Sequence, residues 1–289
     1  MTSEITSDAT PVEPERFGFI LAAAIRALMK ADLPPHTLSL LAHHHAMLGG
    51  AVENAITSVI NRLTIDQFHL EELENRYRDF IGYEPKTLKY QISTFTRGLV
   101  NGKLLEMIKR RQIVRRPGAE GWFVVPHWSS DGDTYQEALE NVLTRLKKAY
   151  SGRFINKCDG KLGPEYLSQT PEKINAMNIV QQAQGTDLLI VAAQLGFKHC
   201  GRSSRRACAI MNDGEFSLGA YEVGIILLTH STNLGIYCAG DKYSPCADGD
   251  LDNYVLCFDF EDGNLVLSCR RTRTPNGGYG TASGFLLFE

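Results

Sequence analysis

Over the first 98 residues, apolar side chains recur at three- and four-residue spacing, which predicts helices. The runs are 17–30, 38–63 with a break at Gly49-Gly50, 70–80 and 86–98. Paired glycines disfavour helix continuation, and Pro85 suits a first helical turn, where its missing N–H costs nothing. Two strand-like runs follow, 104–114 and 122–126, around Pro117-Gly118-Ala119-Glu120-Gly121, and together they predict a hairpin. Asn101-Gly102 is a second hairpin cue; a hairpin over 95–105 would end the preceding helix early. The polar stretch 129–134 marks a boundary, and 135–150 reads as an amphipathic connecting helix.

Beyond residue 150 the pattern changes. A helix is predicted over 171–184, and then come short β-branched, leucine-rich or aromatic runs at 188–195, 207–211, 222–230, 235–239, 254–260, 265–270 and 285–288. Gly, Asp, Asn and Pro separate them, and Asp262-Gly263 is a hairpin turn signal. The expected fold class is α+β: a mostly helical N-terminal half, then a mainly antiparallel β domain with one or two helices. The expected divisions are a disordered tail at 1–14, a helical domain at 15–128, a linker and connecting helix at 129–150, and a Cys-rich α+β domain at 151–289.

Composition narrows the classes. With 289 residues, 43% of them apolar, the chain is neither disordered nor a small disulfide scaffold. All seven cysteines lie between Cys158 and Cys269, and an odd number in so long a chain points to reduced thiols. No run approaches the ~18–20 apolar residues of a membrane span. Glu13 and Glu15 precede the apolar stretch 17–25, where a secretory signal would carry basic residues. A cytoplasmic protein with no membrane partner is expected.

The net charge of −3 gives no whole-molecule attraction to a polyanion, so any such attraction must be local. Residues 83–116 supply it, with nine basic residues against Glu84 and Glu106. On a helical wheel Leu88, Ile92, Phe95 and Leu99 form one stripe, while Lys86, Tyr90, Ser93 and Arg97 form the opposite one. The second stripe carries donors suited to phosphates and base edges.

The order helix, helix, turn, basic helix, basic hairpin resembles a winged helix-turn-helix DNA-binding domain over roughly residues 36–126. The resemblance makes 70–80 the first helix of the motif, Gly82-Tyr83-Glu84-Pro85 the turn and 86–97 the recognition helix in a major groove. It makes Arg115-Arg116-Pro117-Gly118 the tip of the wing. The residues expected at nucleic acid are Lys86, Lys89, Tyr90, Ser93, Arg97, Lys103, Arg110, Arg111, Arg115 and Arg116.

Other constellations carry less. Consecutive residues on a helix diverge by about 100°, so His43-His44-His45 cannot easily share one ion. Cys200/Cys208 and Cys238/Cys246 are spaced too widely for a zinc knuckle and read as buried thiols. Asp248-Gly249-Asp250-Leu251-Asp252-Asn253 lacks the glycine and glutamate of a calcium loop. Asp213, Glu215 and Glu222 are the carboxylates a nuclease would need. Arg202, Arg205 and Arg206 with Arg270, Arg271 and Arg273 could make a second anion site. Residues 277–284 read as a flexible glycine-rich loop without the lysine of a phosphate-binding loop.

No metal or cofactor is expected. The leading expectation is a homo-oligomeric regulator that binds double-stranded DNA and uses its C-terminal domain to sense a small-molecule or protein effector. The alternatives are a nuclease-like enzyme with catalysis in that domain, and a non-catalytic interaction scaffold.

Overall fold

The computed structural model describes residues 71–76, 85–95, 98–230, 234–247 and 249–287. The tail at 1–14, the helices expected at 17–30 and 38–63, the three histidines, Gly82–Glu84 of the turn and Arg97 lie outside the described residues.

The class is α+β with mainly antiparallel sheets. Helices α1 (Leu88–Ser93) and α2 (Gly102–Lys109) precede strand β1 (Gly121–Pro126) and helix α3 (Tyr135–Ala149). Strands β2 (Phe154–Asn156) and β3 (Leu167–Gln169), helix α4 (Pro171–Gln184), strand β4 (Leu188–Gln194) and helix α5 (Ser204–Ala209) follow. Then come β5 (Glu215–Ser217), α6 (Ala220–Leu227), β6 (Gly235–Tyr237), β7 (Asp241–Tyr243), β8 (Tyr254–Glu261), β9 (Asn264–Arg271), β10 (Tyr279–Thr281) and β11 (Ser283–Phe285).

One sheet runs β1-β4-β11-β5, antiparallel throughout. The other is built on the β8–β9 hairpin, turned by Asp262 and Gly263 at φ 50° and 78°. Such a pair of positive φ values matches the right-handed strand twist, which is why Asp-Gly marks the turn. β9 takes one edge of β8, so β6 and β7 share the other, and β2 pairs parallel to β9. The chain passes from the second sheet to the first at buried Ala282, between β10 and β11. Residues 277–284 are therefore largely strand, because pairing to β6, β4 and β5 overrides their glycine content.

α6 is buried along its whole length, and a Cβ at Gly224 would meet Val142 of α3 and the Phe258 ring of β8. α3 buries Ala138, Leu139, Val142, Leu143 and Leu146, so the expected connecting helix is a core element. β1, which the expected division assigns to the N-terminal domain, pairs along its full length with β4, and residues 65–289 form one compact unit.

Several expectations are corrected. The run 104–114 is not a strand: Asn101 accepts from Leu104 N–H as an N-cap, and α2 follows with a Glu106–Arg110 pair one turn apart. Among the described residues there is thus no wing hairpin, and none between residues 98 and 105. Residues 72–76 are not helical: Glu72 bridges Arg202 in an isolated antiparallel contact. α1 has six residues, and Leu99 lies beyond it, 80% exposed, off the expected apolar stripe. The runs at 207–211 and 222–230 are helices α5 and α6, with Ser203 accepting from Arg206 N–H and Glu222 from Gly219 N–H.

The edge of the first sheet is sealed by a side chain. Gln91 of α1 is buried; its Nε2 donates to Trp122 O at 2.9 Å, and its Oε1 accepts from Val124 N–H at 2.8 Å. One amide thus stands in for a neighbouring strand and blocks edge pairing. Gln184 does the same for Ile190 of β4, donating and accepting at 2.8 Å. Gln91→Leu is expected to leave two buried backbone groups unpaired and cost about 1–3 kcal/mol. Urea unfolding reads this, and an unchanged midpoint would show that the amide adds nothing to the edge.

Candidate nucleic-acid interface

α1 is placed by its buried side. Thr87 accepts from Tyr90 N–H as N-cap, Gln91 locks onto β1, and Phe95 packs on the core. Lys86 N–H donates to His230 Nε2 at 2.9 Å, and burial, aided by nearby Lys86, depresses the His230 pKa to about 4. An uncharged imidazole can accept that backbone hydrogen bond and pack edge-on against Phe123, 5.1 Å away. Lys86, Lys89, Tyr90 and Ser93 are consequently exposed, Tyr90 by 52%.

α2 adds Lys103, Lys109 and, at its end, Arg110, all exposed; Arg111 and Arg115 follow, also exposed, and Arg116 is half-buried. Asn101 anchors this stretch by donating to Gln184 O at 2.8 Å. Arg110 pairs with Glu106, and Arg115 donates to Glu120 O. Lys86, Lys89, Lys103, Lys109 and Arg111 make no ion pair among the described residues. Gln91, which seats the helix, escaped sequence reasoning; its one signal is a polar residue beside an apolar stripe.

Four of the six arginines in the second basic group are already paired, while Arg271 and Arg273 are exposed. Arg205 pairs with Glu71, and Arg202 and Arg206 with Glu72. Burial opposes these carboxylates, but the arginine hydrogen bonds hold both below the ordinary range. Arg270 sits with Asp259 and donates to Tyr279 at 2.9 Å. These arginines serve the fold.

The three nuclease carboxylates are not assembled. Asp213 lies in an exposed turn, and Glu215 and Glu222 belong to separate buried clusters. In the first, Glu215 accepts from Ser283 Oγ at 2.6 Å, meets His199 Nε2 at 2.8 Å and pairs with Lys198. In the second, Lys173 Nζ lies 2.8 Å from Glu222, 3.0 Å from Asp241 and 2.7 Å from Tyr135 Oη. Burial works against the Lys173 ammonium, yet Asp241 and Glu222 outweigh it and hold its pKa above the ordinary value. Burial, with Asp241 beside it, pushes the Glu222 carboxyl up against the pull of Lys173. A Cβ at Gly219 would collide with Lys173 Nζ and the Asp241 carboxylate, so only glycine fits there. Both clusters carry a cation in contact with their acids, which suits tying elements together better than holding a metal. No group of three metal-ligating side chains occurs among the described residues, and Cys200 and Cys238 are buried apart from exposed Cys208 and Cys246.

Asp241 also borders a cleft of about 290 Å³, with Ser204, Arg205, Lys242, Asp252 and Thr272 among its lining. No helix among the described residues is long and apolar enough to cross a membrane.

In comparisons with known proteins, no protein-family model matches the chain, and neither a curated protein nor a solved structure is significantly similar to it.

Proposed function

We propose that this protein binds double-stranded DNA through the exposed basic surface of α1, α2 and the loop after α2. The supporting observation is that Lys86, Lys89, Lys103, Lys109 and Arg111 present their charges to solvent with no acidic partner among the described residues, in a chain whose net charge is −3. Tyr90 and Ser93 stand on the same short helix as Lys86 and Lys89.

Winged-helix geometry does not carry the proposal, since no wing hairpin occurs among the described residues and α1 is about 9 Å long. A helix that short reaches few base edges, so phosphate contacts dominate and sequence preference is modest. The cleft beside Asp241 supports an effector site in the same chain.

The test is electrophoretic mobility shift on duplex DNA over a series of salt concentrations. Five phosphate contacts predict a slope of log K against log salt of about −4 to −5. Replacing Lys89, Lys103 and Lys109 together with alanine should flatten that slope by about 2–3 and weaken binding about tenfold or more. These exposed side chains make no ion pair among the described residues, so the melting temperature should stay unchanged. Wild-type protein that leaves the duplex unshifted at low salt, or a triple variant that binds like wild type, overturns the proposal.

A further inference from the structure

The pairing of β2 with β9 brings two cysteines together. β2 runs parallel to β9 with Phe154 opposite Leu265, Ile155 opposite Val266 and Asn156 opposite Leu267. The ladder continues past the strand, because Lys157 N–H donates to Leu267 O at 2.9 Å. Cys158 follows in the turn just after β2, and its side chain belongs to the same apolar core that Cys269 of β9 packs against. The two thiols interact, and the Tyr243 hydroxyl neighbours Cys158.

The two sulfurs differ as a reactive pair should. Cys158 is buried, while Cys269 is half-buried and within reach of a small oxidant. The interaction with Cys158 draws the Cys269 thiol down to about 7 against its burial, helped by the charges of Arg270 and Lys161. The same interaction, with burial, pushes Cys158 up, marking it as the proton-bearing partner. Cys257 is not a competitor: it stands opposite Ser268, whereas Leu256 stands opposite Cys269, so its side chain points to the other face of the sheet. It packs there with Tyr237, Val255 and Tyr279.

We infer that Cys158 and Cys269 form a reversible dithiol–disulfide site in which hydrogen peroxide oxidises Cys269 and Cys158 resolves the product. In the first step the Cys269 thiolate attacks the peroxide: an S–O bond forms, the O–O bond breaks, and the released hydroxide takes a proton to leave as water. In the second, the Cys158 sulfur attacks the sulfenic sulfur: the S–S bond forms, the S–O bond breaks, and a second water leaves. Two thiols lose two electrons and two protons, and the peroxide is reduced to two waters. A dithiol reductant reverses the change by exchange. The bond staples the loop after β2 to β9 in the second sheet and leaves α1 and α2 untouched, so the site stands independently of DNA binding.

The experiment treats the full chain with equimolar hydrogen peroxide, blocks remaining thiols with iodoacetamide and maps the peptides. The expected result is loss of the mass of two hydrogen atoms, one cross-linked peptide pair containing Cys158 and Cys269, and recovery of both free thiols with dithiothreitol. Cys158→Ser should instead leave Cys269 as a sulfenic acid that dimedone traps. The wild-type map decides the matter even if a serine variant misfolds. Alkylation of both Cys158 and Cys269 after peroxide, or a cross-link joining any other pair, overturns the inference.

Discussion

Lys173→Met is expected to destabilise the protein by about 3–5 kcal/mol, the cost of removing one partner from a buried ion network. Methionine keeps much of the length and volume of lysine, so the loss reports charge and hydrogen bonding more than a cavity. The lysine is fully buried, and its ammonium meets Glu222, Asp241 and Tyr135. Without it, α3, α4, the start of α6 and β7 would converge on two buried carboxylates. Tyr135 and the Ala220 N–H would still donate to Asp241, but nothing would balance the charge. The pH dependence follows from Glu222, whose folded pKa is already raised by burial. A carboxyl raised on folding stabilises the fold while protonated, and that contribution disappears as pH rises through the folded pKa. Removing Lys173 raises it further, so the penalty should grow on going from a mildly acidic to a mildly alkaline buffer. Urea midpoints of both proteins at the two pH values measure it. A variant as stable as wild type at the higher pH would show that the cluster is not an ion network.

The sequence reveals this fold where local rules decide and hides it where distant residues do. The β8–β9 hairpin is legible because Asp262-Gly263 specifies its turn and apolar runs flank it. α4 is legible from Thr170, Pro171 and Gly185, which are its N-cap, first residue and left-handed C-cap. α6 is misread as a strand because a helix apolar on every side has no periodicity to separate it from a buried strand. The mark that could have found it is Glu222 three residues after Gly219, reaching back to the Gly219 N–H. At 104–114 the Asn101 cap is the clue, outweighed by the glycine-containing turn 117–121 that makes the run look like half of a hairpin with 122–126. The polar core is illegible for a different reason. Gln91, Lys173, Gln184 and Gln194 belong to residue types that hydropathy puts outside, and they are buried only because tertiary partners satisfy them. Tyr135, Lys173, Glu222 and Asp241 meet across 106 residues of chain, a juxtaposition no spacing rule encodes. The exposed cations could be read because a solvated charge needs no partner.

Glu215 predicts the acid limit of stability. Its carboxylate is fully buried, which alone would raise its pKa, but His199, Lys198 and Ser283 hold it down at about 2. A carboxyl depressed on folding stabilises the native state above its unfolded pKa, and the contribution drains away as pH falls through the folded value. With an ordinary value of 4.5 and a folded value of about 2, the group should contribute about 3 kcal/mol at neutral pH, lost between those two values. Glu215→Gln keeps the size and one acceptor but cannot titrate. It should therefore lose most of that stability at neutral pH, and its free energy of unfolding should fall less steeply than wild type below about pH 4. Glu215→Ala should cost about 3–5 kcal/mol, since it strands the Lys198 ammonium and the His199 ring beside an empty pocket. The two curves should converge in acid, because protonated wild type and the glutamine variant carry the same charge there. Parallel curves, offset by a constant down to the lowest pH at which both still fold, would assign the acid transition to other carboxyls and reduce Glu215 to a packing residue.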